Sequence, residues 1–550
     1  MLRTYDVATV RAAEAPLLAA GEPLMLRAAR ALANRVVWEL RARSLRVYGT
    51  SIAVFVGGGN NGGDALYAGA HLAARGAAVT IVLCAEQAHE AGLARALECG
   101  ARVVRAVEPG ERGATGEHGV ADEQSVAGEP ARIAREQAAR AAVWIDGLLG
   151  IGARGPAREP VASIIDALND ELDSSPAEPL VVAVDTPSGI DAQTGALPGP
   201  ALRAHLTVTM GAAKPGLVLD PARRRAGKVD LVDLAFERTL GDWSVSVLGD
   251  ADVADIWPLP GATSHKYTRG VVGVLAGSER YPGAGILAVS GARAMGPGYV
   301  RYLGDERLGK HLVGMFPDVV CAEGRVQAYC VGSGNPAGGE KTIRTAIDAA
   351  IPIVIDAGSL CGVAGNIATL GEKLPETAVL TPHAGEASGL LARLGQSASR
   401  EEIESAPFVY ARRIAELTGA TVVLKGAVDV VAGPDGHAYA QGGAPGWRGV
   451  AGSGDVTAGA VASMLAIAEP ETHQPGGPAL LAAAALHVHA RAAAIAAGCE
   501  FDEQLLGEAS AADPRLTAPA LTDARQRAGH PICATDIARS IPVALAEILG

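Results

Sequence analysis

Short apolar runs alternate with alanine-rich stretches of helical period along both halves of this chain, and that alternation confines the fold to α/β units built on parallel sheets. In the first half, Ser51-Ile52-Ala53-Val54-Phe55-Val56 and Ala78-Val79-Thr80-Ile81-Val82-Leu83 read as buried strands, with helical periodicity over residues 11–43 and 65–75. Runs 142–146 and 180–185 are two more strands, each ending in aspartate (Asp146, Asp185), and 206–210 is another. The second half restarts at Val271-Val272-Gly273-Val274-Leu275-Ala276 and continues through 352–356, 378–380, 421–424 and 428–431, the last two spaced like a hairpin. At 550 residues the chain is too long for one core. Two domains are expected, 1–240 and 250–550, joined near residues 238–255. Residues 108–136, rich in Glu, Gly and Ala and poor in large apolar side chains, read as a surface insertion whose composition suits disorder.

Composition narrows the function. A formal net charge of -13 argues against nucleic-acid or membrane-surface binding. The seven cysteines are scattered without a CxxC, which fits a reducing cytoplasm rather than a disulfide framework or a zinc site. The N-terminus has no signal-peptide hydrophobic region, and the apolar run 480–497 is interrupted by His487, His489 and Arg491, so it reads as a buried helix and not a membrane span. Only seven of the 47 basic residues are lysine, so a lysine inside a motif is more telling than usual.

In the first half, Gly57-Gly58-Gly59-Asn60-Asn61-Gly62-Gly63-Asp64 follows a strand and opens a helix. Gly57, Gly59 and Gly62 satisfy G-x-G-x-x-G, and Glu86 ends the next strand, so a dinucleotide-binding oxidoreductase fits the pattern. The amides of Asn60 and Asn61 and the carboxylate of Asp64 are more than bare phosphate binding needs. They suit sugar hydroxyls or a cation held by oxygens. In an open parallel sheet the carboxyl ends of strands line one crevice, where Asn61, Asp146, Asp185 and Ser188 can converge.

In the second half, Gly452-Ser453-Gly454-Asp455 precedes a small-residue helix. Glycines let amides approach an anion closely, the helix N-terminus adds positive partial charge, and the carboxylate can take a proton from a hydroxyl. Gly277-Ser278-Glu279-Arg280-Tyr281-Pro282-Gly283-Ala284, Gly332-Ser333-Gly334, Thr381-Pro382-His383-Ala384-Gly385-Glu386 and Lys425-Gly426 each sit where a strand's carboxyl end meets a loop. Together they describe nucleotide-dependent phosphoryl transfer, with Asp455 as base, Lys425 near the nucleotide and His383 near the acceptor.

These motifs carry a resemblance. Glu14, Gly21-Glu22-Pro23-Leu24-Met25, Gly59-Asn60-Asn61-Gly62-Gly63-Asp64, Asp146-Gly147-Leu148-Leu149-Gly150-Ile151-Gly152, Val184-Asp185-Thr186-Pro187-Ser188-Gly189 and Gly211-Ala212-Ala213-Lys214-Pro215-Gly216 resemble the YjeF N-terminal domain family, the NAD(P)H-hydrate epimerases, over residues 1–240. The resemblance implies a Rossmann-like three-layer sheet. It implies substrate contacts from Asn60, Asn61, Gly62, Gly63, Asp64, Gly150, Ile151, Gly152, Ala153, Arg154, Gly155, Pro156 and Asp185, with Asp185 the candidate acid/base. It also implies a potassium ion on Asn61, Asp146 and Ser188. The dinucleotide is then substrate, and the oxidoreductase reading falls. Leu26-Arg27-Ala28-Ala29-Arg30 departs from that family, which usually has an acid and a glycine there.

Residues 255–550 resemble the NAD(P)H-hydrate dehydratases, ribokinase-like proteins, through His265-Lys266, the Gly-Ser…Gly-Ala loop, Thr-Pro-His-x-Gly-Glu, Leu-Lys-Gly and Gly-x-Gly-Asp, in order. The resemblance implies a ribokinase-like three-layer sheet and hydrate contacts from Ala284, Gly334, His383 and Asp455. It implies adenylate contacts from Lys425, Gly426, Ala427, Val428, Asp429 and Gly454, and ADP (or ATP) with magnesium as co-substrate. The family's Asp-Ala-Asp-Ala-Leu is here Asp356-Ala357-Gly358-Ser359-Leu360, without the second acid. The whole then reads as an isomerase and a lyase in one cytoplasmic chain, a homo-oligomer that repairs hydrated NADH and NADPH. The rival readings are a ribokinase-like vitamin or sugar kinase with an accessory N-terminal domain, and a non-enzymatic binding module of the kind found in mRNA-decapping scaffolds.

Overall fold

The computed structural model describes residues 1–108, 123–176, 178–235, 239–335, 339–468, 473–474, 476–501 and 529–550. Among these the chain forms two compact units, Thr4–Trp243 and residues 244–501 with 529–550, the latter taking in Met1–Arg3. Those three residues depart from the expected 1–240 domain for a local reason. The strand Leu2–Thr4 extends the edge of the C-terminal sheet beside Val245–Val247, and the terminal ammonium lies 2.5 Å from Asp252.

The N-terminal unit holds one sheet of seven parallel strands, ordered Arg102–Arg105, Ala78–Leu83, Ser51–Val56, Val143–Gly147, Leu180–Val184, Leu206–Met210, Lys228–Val232. Val143–Gly147, Leu180–Val184 and Leu206–Met210 are buried along their whole length, as strands covered on both faces must be. Leu24–Ala42 and Asn60–Ala74 supply the apolar cover of one face, Glu123–Ala138 and Val161–Ser174 that of the other. The expected periodic stretch 11–43 is two helices, Val7–Ala19 and Leu24–Ala42, split at Gly21, whose φ of +80° only glycine adopts freely. The expected insertion 108–136 also needs correction. Residues 109–122 lie outside the described residues, but Glu123–Ala138 is a helix packed on Val161–Ser174. Its contact face is made of Ile133, Ala134 and Ala138, and Arg135 pairs with Glu171 at 2.9 Å. Small side chains bring the helix close without the large apolar residues that usually signal a buried face.

The C-terminal unit is a ten-stranded sheet. Tyr299–Tyr302, Val271–Leu275, Ala328–Val331, Ile353–Ile355, Ala378–Leu380 and Thr421–Leu424 run parallel. Asp429–Ala432 and Ala438–Gln441 then continue antiparallel, the first as the expected hairpin, and Val245–Val247 and Leu2–Thr4 finish the edge. The helix Gly477–Ala497 is long and apolar enough to cross a membrane, yet 78% of its apolar window is buried inside this unit.

The helix that carries Asp455, Ser453–Ile467, packs against Pro282–Ala294 with almost no side chain between them. A Cβ on Gly459 would lie 2.0 Å from the Ala288 carbonyl oxygen, and one on Gly291 would lie 2.2 Å from that of Val456. In an ordinary helix interior Gly→Ala stabilises by about 1 kcal/mol. Here the sign reverses: Gly459→Ala is expected to destabilise the C-terminal unit by about 1–3 kcal/mol, the cost of overpacking, read from denaturant unfolding. A more stable variant would mean that the two backbones are not in contact.

Candidate functional sites

In the N-terminal unit the strand order reverses between Ser51–Val56 and Val143–Gly147, and the loops leaving two such strands bound a crevice. Two glycines of the first loop are required by contact. A Cβ on Gly57 would lie 1.9 Å from the Leu148 carbonyl oxygen, and one on Gly62 would lie 2.2 Å from that of Gly57. The helix Asn60–Ala74 begins without a side-chain cap, so its first turn offers amides and positive partial charge.

Asp146 ends its strand fully buried. It accepts from Ser188 N at 2.8 Å, Ser188 Oγ at 2.6 Å and Leu148 N at 3.2 Å. Asn61 Nδ2 donates to the Leu149 carbonyl at 2.8 Å, and Leu149 N donates to Ser188 Oγ at 2.9 Å. Asn61, Asp146 and Ser188 therefore meet around Leu149. Burial pushes the Asp146 carboxyl up, and the bonds from Ser188 and Leu148 pull it back. Those hydrogen-bond partners are all neutral, so a cation beside this carboxylate would lower its cost of burial.

Asp185 follows Leu180–Val184 with φ +63°, a left-handed conformation uncommon for a residue with a Cβ and recurrent at functional sites. One of its oxygens accepts from Thr209 Oγ1 at 3.0 Å, from Met210 N at 3.0 Å and from the ammonium of Lys214. Lys214 is 1% exposed and also donates to Thr209 Oγ1 at 3.0 Å and the Met210 carbonyl at 3.1 Å. Asp64, on the first turn of Asn60–Ala74, has its Oδ1 buried without a hydrogen-bond partner. Burial pushes this carboxyl well up, Asp185 and Glu14 push the same way, and Lys214 opposes them. Of the loop after Val143–Gly147, Gly150 abuts Asn61, where a Cβ would lie 3.0 Å from the Asn61 Cβ. Ile151 is half-buried, and Gly152, Ala153, Arg154, Gly155 and Pro156 are exposed.

In the C-terminal unit the loops at the carboxyl ends of the parallel strands meet around Asp356, which is 1% exposed. Its Oδ2 accepts from Ser333 Oγ at 2.6 Å, and its Oδ1 from Thr381 Oγ1 at 2.8 Å and Lys425 Nζ at 2.9 Å. Lys425 Nζ also lies 3.9 Å from Glu386. Burial alone would raise Asp356 and lower Lys425. Their mutual attraction outweighs it, helped by the Ser333 and Thr381 bonds for Asp356 and by Glu386 for Lys425, and holds Asp356 below and Lys425 above their ordinary values.

Asp455 stands in the first turn of Ser453–Ile467. Gly452, at φ +89°, starts that helix without a side-chain cap. The Asp455 carboxyl is pushed up to about 7, first by burial and then by Asp356, with Lys425 and a Ser333 hydrogen bond opposing and Glu386 adding to the rise. Gly454 sits against Lys425, where a Cβ would lie 3.1 Å from Nζ. Gly334, at φ +64°, abuts Ala284, whose Cβ would be 2.5 Å from a Cβ at Gly334, so those two loops touch.

His383 has a structural duty. Its Nδ1 accepts from Gly385 N at 3.1 Å and Glu386 N at 3.3 Å, capping Ala384–Arg393. That assignment puts the ring proton on Nε2 in the neutral tautomer. Asp429 is turned inward, 2% exposed and clamped by Arg448, with Gly426 N donating to it at 3.0 Å. It shapes the turn, while Gly426 and Ala427 are exposed and Val428 is buried.

Sequence reasoning missed the partners that give these groups their chemistry: Lys214 against Asp185, and Asp356, Ser333 and Glu386 around Lys425. Lys214 had a signal, since it is one of only seven lysines and lies inside a motif.

The model of the YjeF-related protein N-terminus matches residues 21–216, and that of the NAD(P)H-hydrate dehydratases matches residues 272–507. The bifunctional NAD(P)H-hydrate repair enzyme Nnr of Mycobacterium tuberculosis is 39% identical over 482 residues, covering 86% of this chain and 90% of its own. Its counterpart in Mycobacterium leprae is 37% identical over 507 residues, covering 90% and 94%. The solved ADP/ATP-dependent NAD(P)H-hydrate dehydratase from Bacillus subtilis, co-crystallized with ATP/Mg2+, aligns with 55% of this chain and 99% of its own at a TM-score of 0.42 and 22% identity. Matched by both domain models and by two-domain relatives along most of its length, the chain belongs to the family of bifunctional NAD(P)H-hydrate repair enzymes.

Proposed function

We propose that this chain returns hydrated NADH and NADPH to use. Its N-terminal unit interconverts the R and S hydrates, and its C-terminal unit dehydrates the S hydrate with ADP or ATP, ADP giving AMP and phosphate. The observation that carries the second step is Asp455, on the uncapped first turn of a helix, beside Lys425 and with its carboxyl pushed up to about 7. Hydroxide leaves poorly at neutral pH, so the ring hydroxyl must be changed first. Asp455 takes its proton while the oxygen attacks the terminal phosphoryl group, and the helix amides meet the charge on the phosphoryl oxygens. The ring nitrogen's electron pair then expels phosphate, and the adjacent carbon loses a proton to restore the ring double bond. Lys425 and the exposed Gly426-Ala427 backbone face the nucleotide. Ala284, Gly334 and the Nε2 edge of His383 face the hydrate.

Two metals accompany this reading. Asn61, Asp146 and Ser188 form an oxygen-rich set around a buried carboxylate with neutral hydrogen-bond partners, and they would hold potassium there, where it would neutralise that charge. Among the described residues no cluster of three or more His, Cys, Asp or Glu is arranged for a metal, so magnesium would arrive on the nucleotide's phosphates. A stand-alone kinase would leave a stable phosphorylated product. A binding scaffold would have no use for the ionisable side chains of Asp64, Asp185 and Lys214 gathered in one crevice.

The test is to incubate the protein with mixed hydrate epimers, with and without ADP or ATP, and follow each epimer and the reduced nucleotide. Without nucleotide the epimers should interconvert and persist; with it both should disappear as the reduced nucleotide returns. A phosphorylated vitamin or sugar as the accumulating product would refute the reading. The pH profile adds a sharper expectation. A base must be ionised, so kcat/KM for dehydration should rise about tenfold per pH unit and level off above about 7. A flat profile from pH 5 to 8 would remove Asp455 as the base.

A further inference from the structure

We infer that the N-terminal unit inverts its substrate by breaking and remaking a carbon–oxygen bond, with Asp64 as the acid that protonates the departing hydroxyl. The inference rests on reading that unit as the epimerase and asks which bond it cleaves. Hydrating the enamine of a dihydropyridine puts oxygen on the carbon beside the ring nitrogen. The C–H of that carbon has no neighbouring carbonyl to hold a carbanion, so abstracting its proton is a poor route to inversion. The nitrogen's electron pair can expel the oxygen instead, provided that the oxygen leaves as water.

The crevice supplies two carboxyl groups in contrasting environments. Asp185 is held by the Lys214 ammonium, Thr209 Oγ1 and Met210 N, all three donating to one oxygen. Asp64 has a buried Oδ1 that no protein group engages. It is faced by Asp185 and by Glu14 from the helix Val7–Ala19, and Lys214 is turned to Asp185, so burial and its two acidic neighbours favour its neutral form. Carboxyl groups in such contrasting surroundings divide the work: Asp64, with no donor on its buried Oδ1, is placed as the acid, and Asp185 as the partner of the Lys214 ammonium.

The step balances. The Asp64 proton goes to the hydroxyl oxygen, the C–O electron pair leaves with that oxygen as water, and the nitrogen pair forms a C=N bond whose positive charge Asp185 faces. Water then adds to the opposite side of the same carbon, returning the electron pair to nitrogen. Its surplus proton passes to the free oxygen of Asp185 and through solvent back to Asp64. Nothing is oxidised, reduced or consumed.

Oxygen-18 water decides it. The full-length protein, without nucleotide so that dehydration is idle, is incubated with the R hydrate of NADH carrying deuterium on the hydroxyl-bearing carbon. The S hydrate is read by mass spectrometry against the uncatalysed control. One solvent oxygen per inversion with deuterium retained is the expected result. Catalysed inversion that keeps the original oxygen, or loses the deuterium, overturns this inference and leaves the epimerase reading standing. No catalysed inversion at all sinks both. Asp64→Asn should slow inversion and oxygen exchange together by roughly 10²–10⁴-fold while nucleotide-dependent loss of the S hydrate continues. Inversion by that variant at the wild-type rate would remove Asp64 as the acid.

Discussion

Asp455→Asn is expected to lower nucleotide-dependent dehydration by roughly 10²–10⁴-fold, the usual worth of a positioned general base, and to leave epimerisation at its wild-type rate. The substitution keeps the shape of the side chain and removes only its capacity to take a proton. Epimerisation is untouched because Asp455 and the proposed epimerase residues belong to different units. The assay pairs both activities on one preparation: return of the reduced nucleotide with ADP or ATP present, and inversion of a single epimer without it. Equal loss of both, or full retention of dehydration, would mean that the base has been misassigned.

The same variant carries a stability signature. A carboxyl whose folded value lies near 7, against an ordinary value near 3.8, binds its proton more tightly folded than unfolded. That contribution to stability is complete below about pH 3.8 and is lost as pH rises through about 7. Asparagine resembles the protonated form at every pH. Asp455→Asn should therefore match the wild type near pH 4 and exceed it by about 1 kcal/mol at pH 8, a gain typical of neutralising a strained active-site charge and discounted here for partial exposure. Denaturant unfolding at the two pH values reads the difference.

How much of this was legible in the sequence depended on the range of the signal. Strand runs such as Val143–Gly147 announce themselves because a parallel strand covered on both faces is apolar throughout. Glycine loops such as 57–63 and 452–454 announce themselves because Gly57 and Gly62 abut backbone oxygens too closely for a Cβ and Gly452 has φ +89°. The convergence of Asn61, Asp146 and Ser188 followed from one topological rule, that the carboxyl ends of parallel strands share a crevice. What stayed hidden was pairwise. Asp356 and Lys425 are 69 positions apart, and Asp185 and Lys214 are 29 apart. No local pattern says which cation a buried acid will meet. The helix Glu123–Ala138 was missed for the opposite reason: its contact face is alanine with a single isoleucine, which composition cannot tell from a solvated stretch. His383 looked like a substrate contact, and its capping duty appeared only with the geometry of Gly385 and Glu386.

Lys214→Met should have the largest effect on the N-terminal unit. The ammonium is 1% exposed and pairs with a carboxylate that is 13% exposed. Methionine fills nearly the same volume, so packing is preserved and the loss is electrostatic. The variant leaves Asp185 with Thr209 and Met210 N as its remaining donors and with Asp64 and Glu14 as uncompensated acidic neighbours. Breaking a buried pair by removing one partner typically costs about 3–5 kcal/mol, because a charge is stranded. Unfolding of this unit should move to lower denaturant by that amount, and epimerisation should be lost. The decisive comparison is the double variant Lys214→Met, Asp185→Asn. With both charges gone the desolvation penalty disappears too, and replacing a buried pair by neutral groups is often nearly neutral for stability. The double variant should therefore recover most of the lost stability and none of the epimerase activity, while dehydration of the S hydrate persists in both variants. If the double variant were less stable than the single one, the two residues would be supporting the unit through separate contacts. If it regained epimerase activity, Asp185 would have no part in the reaction.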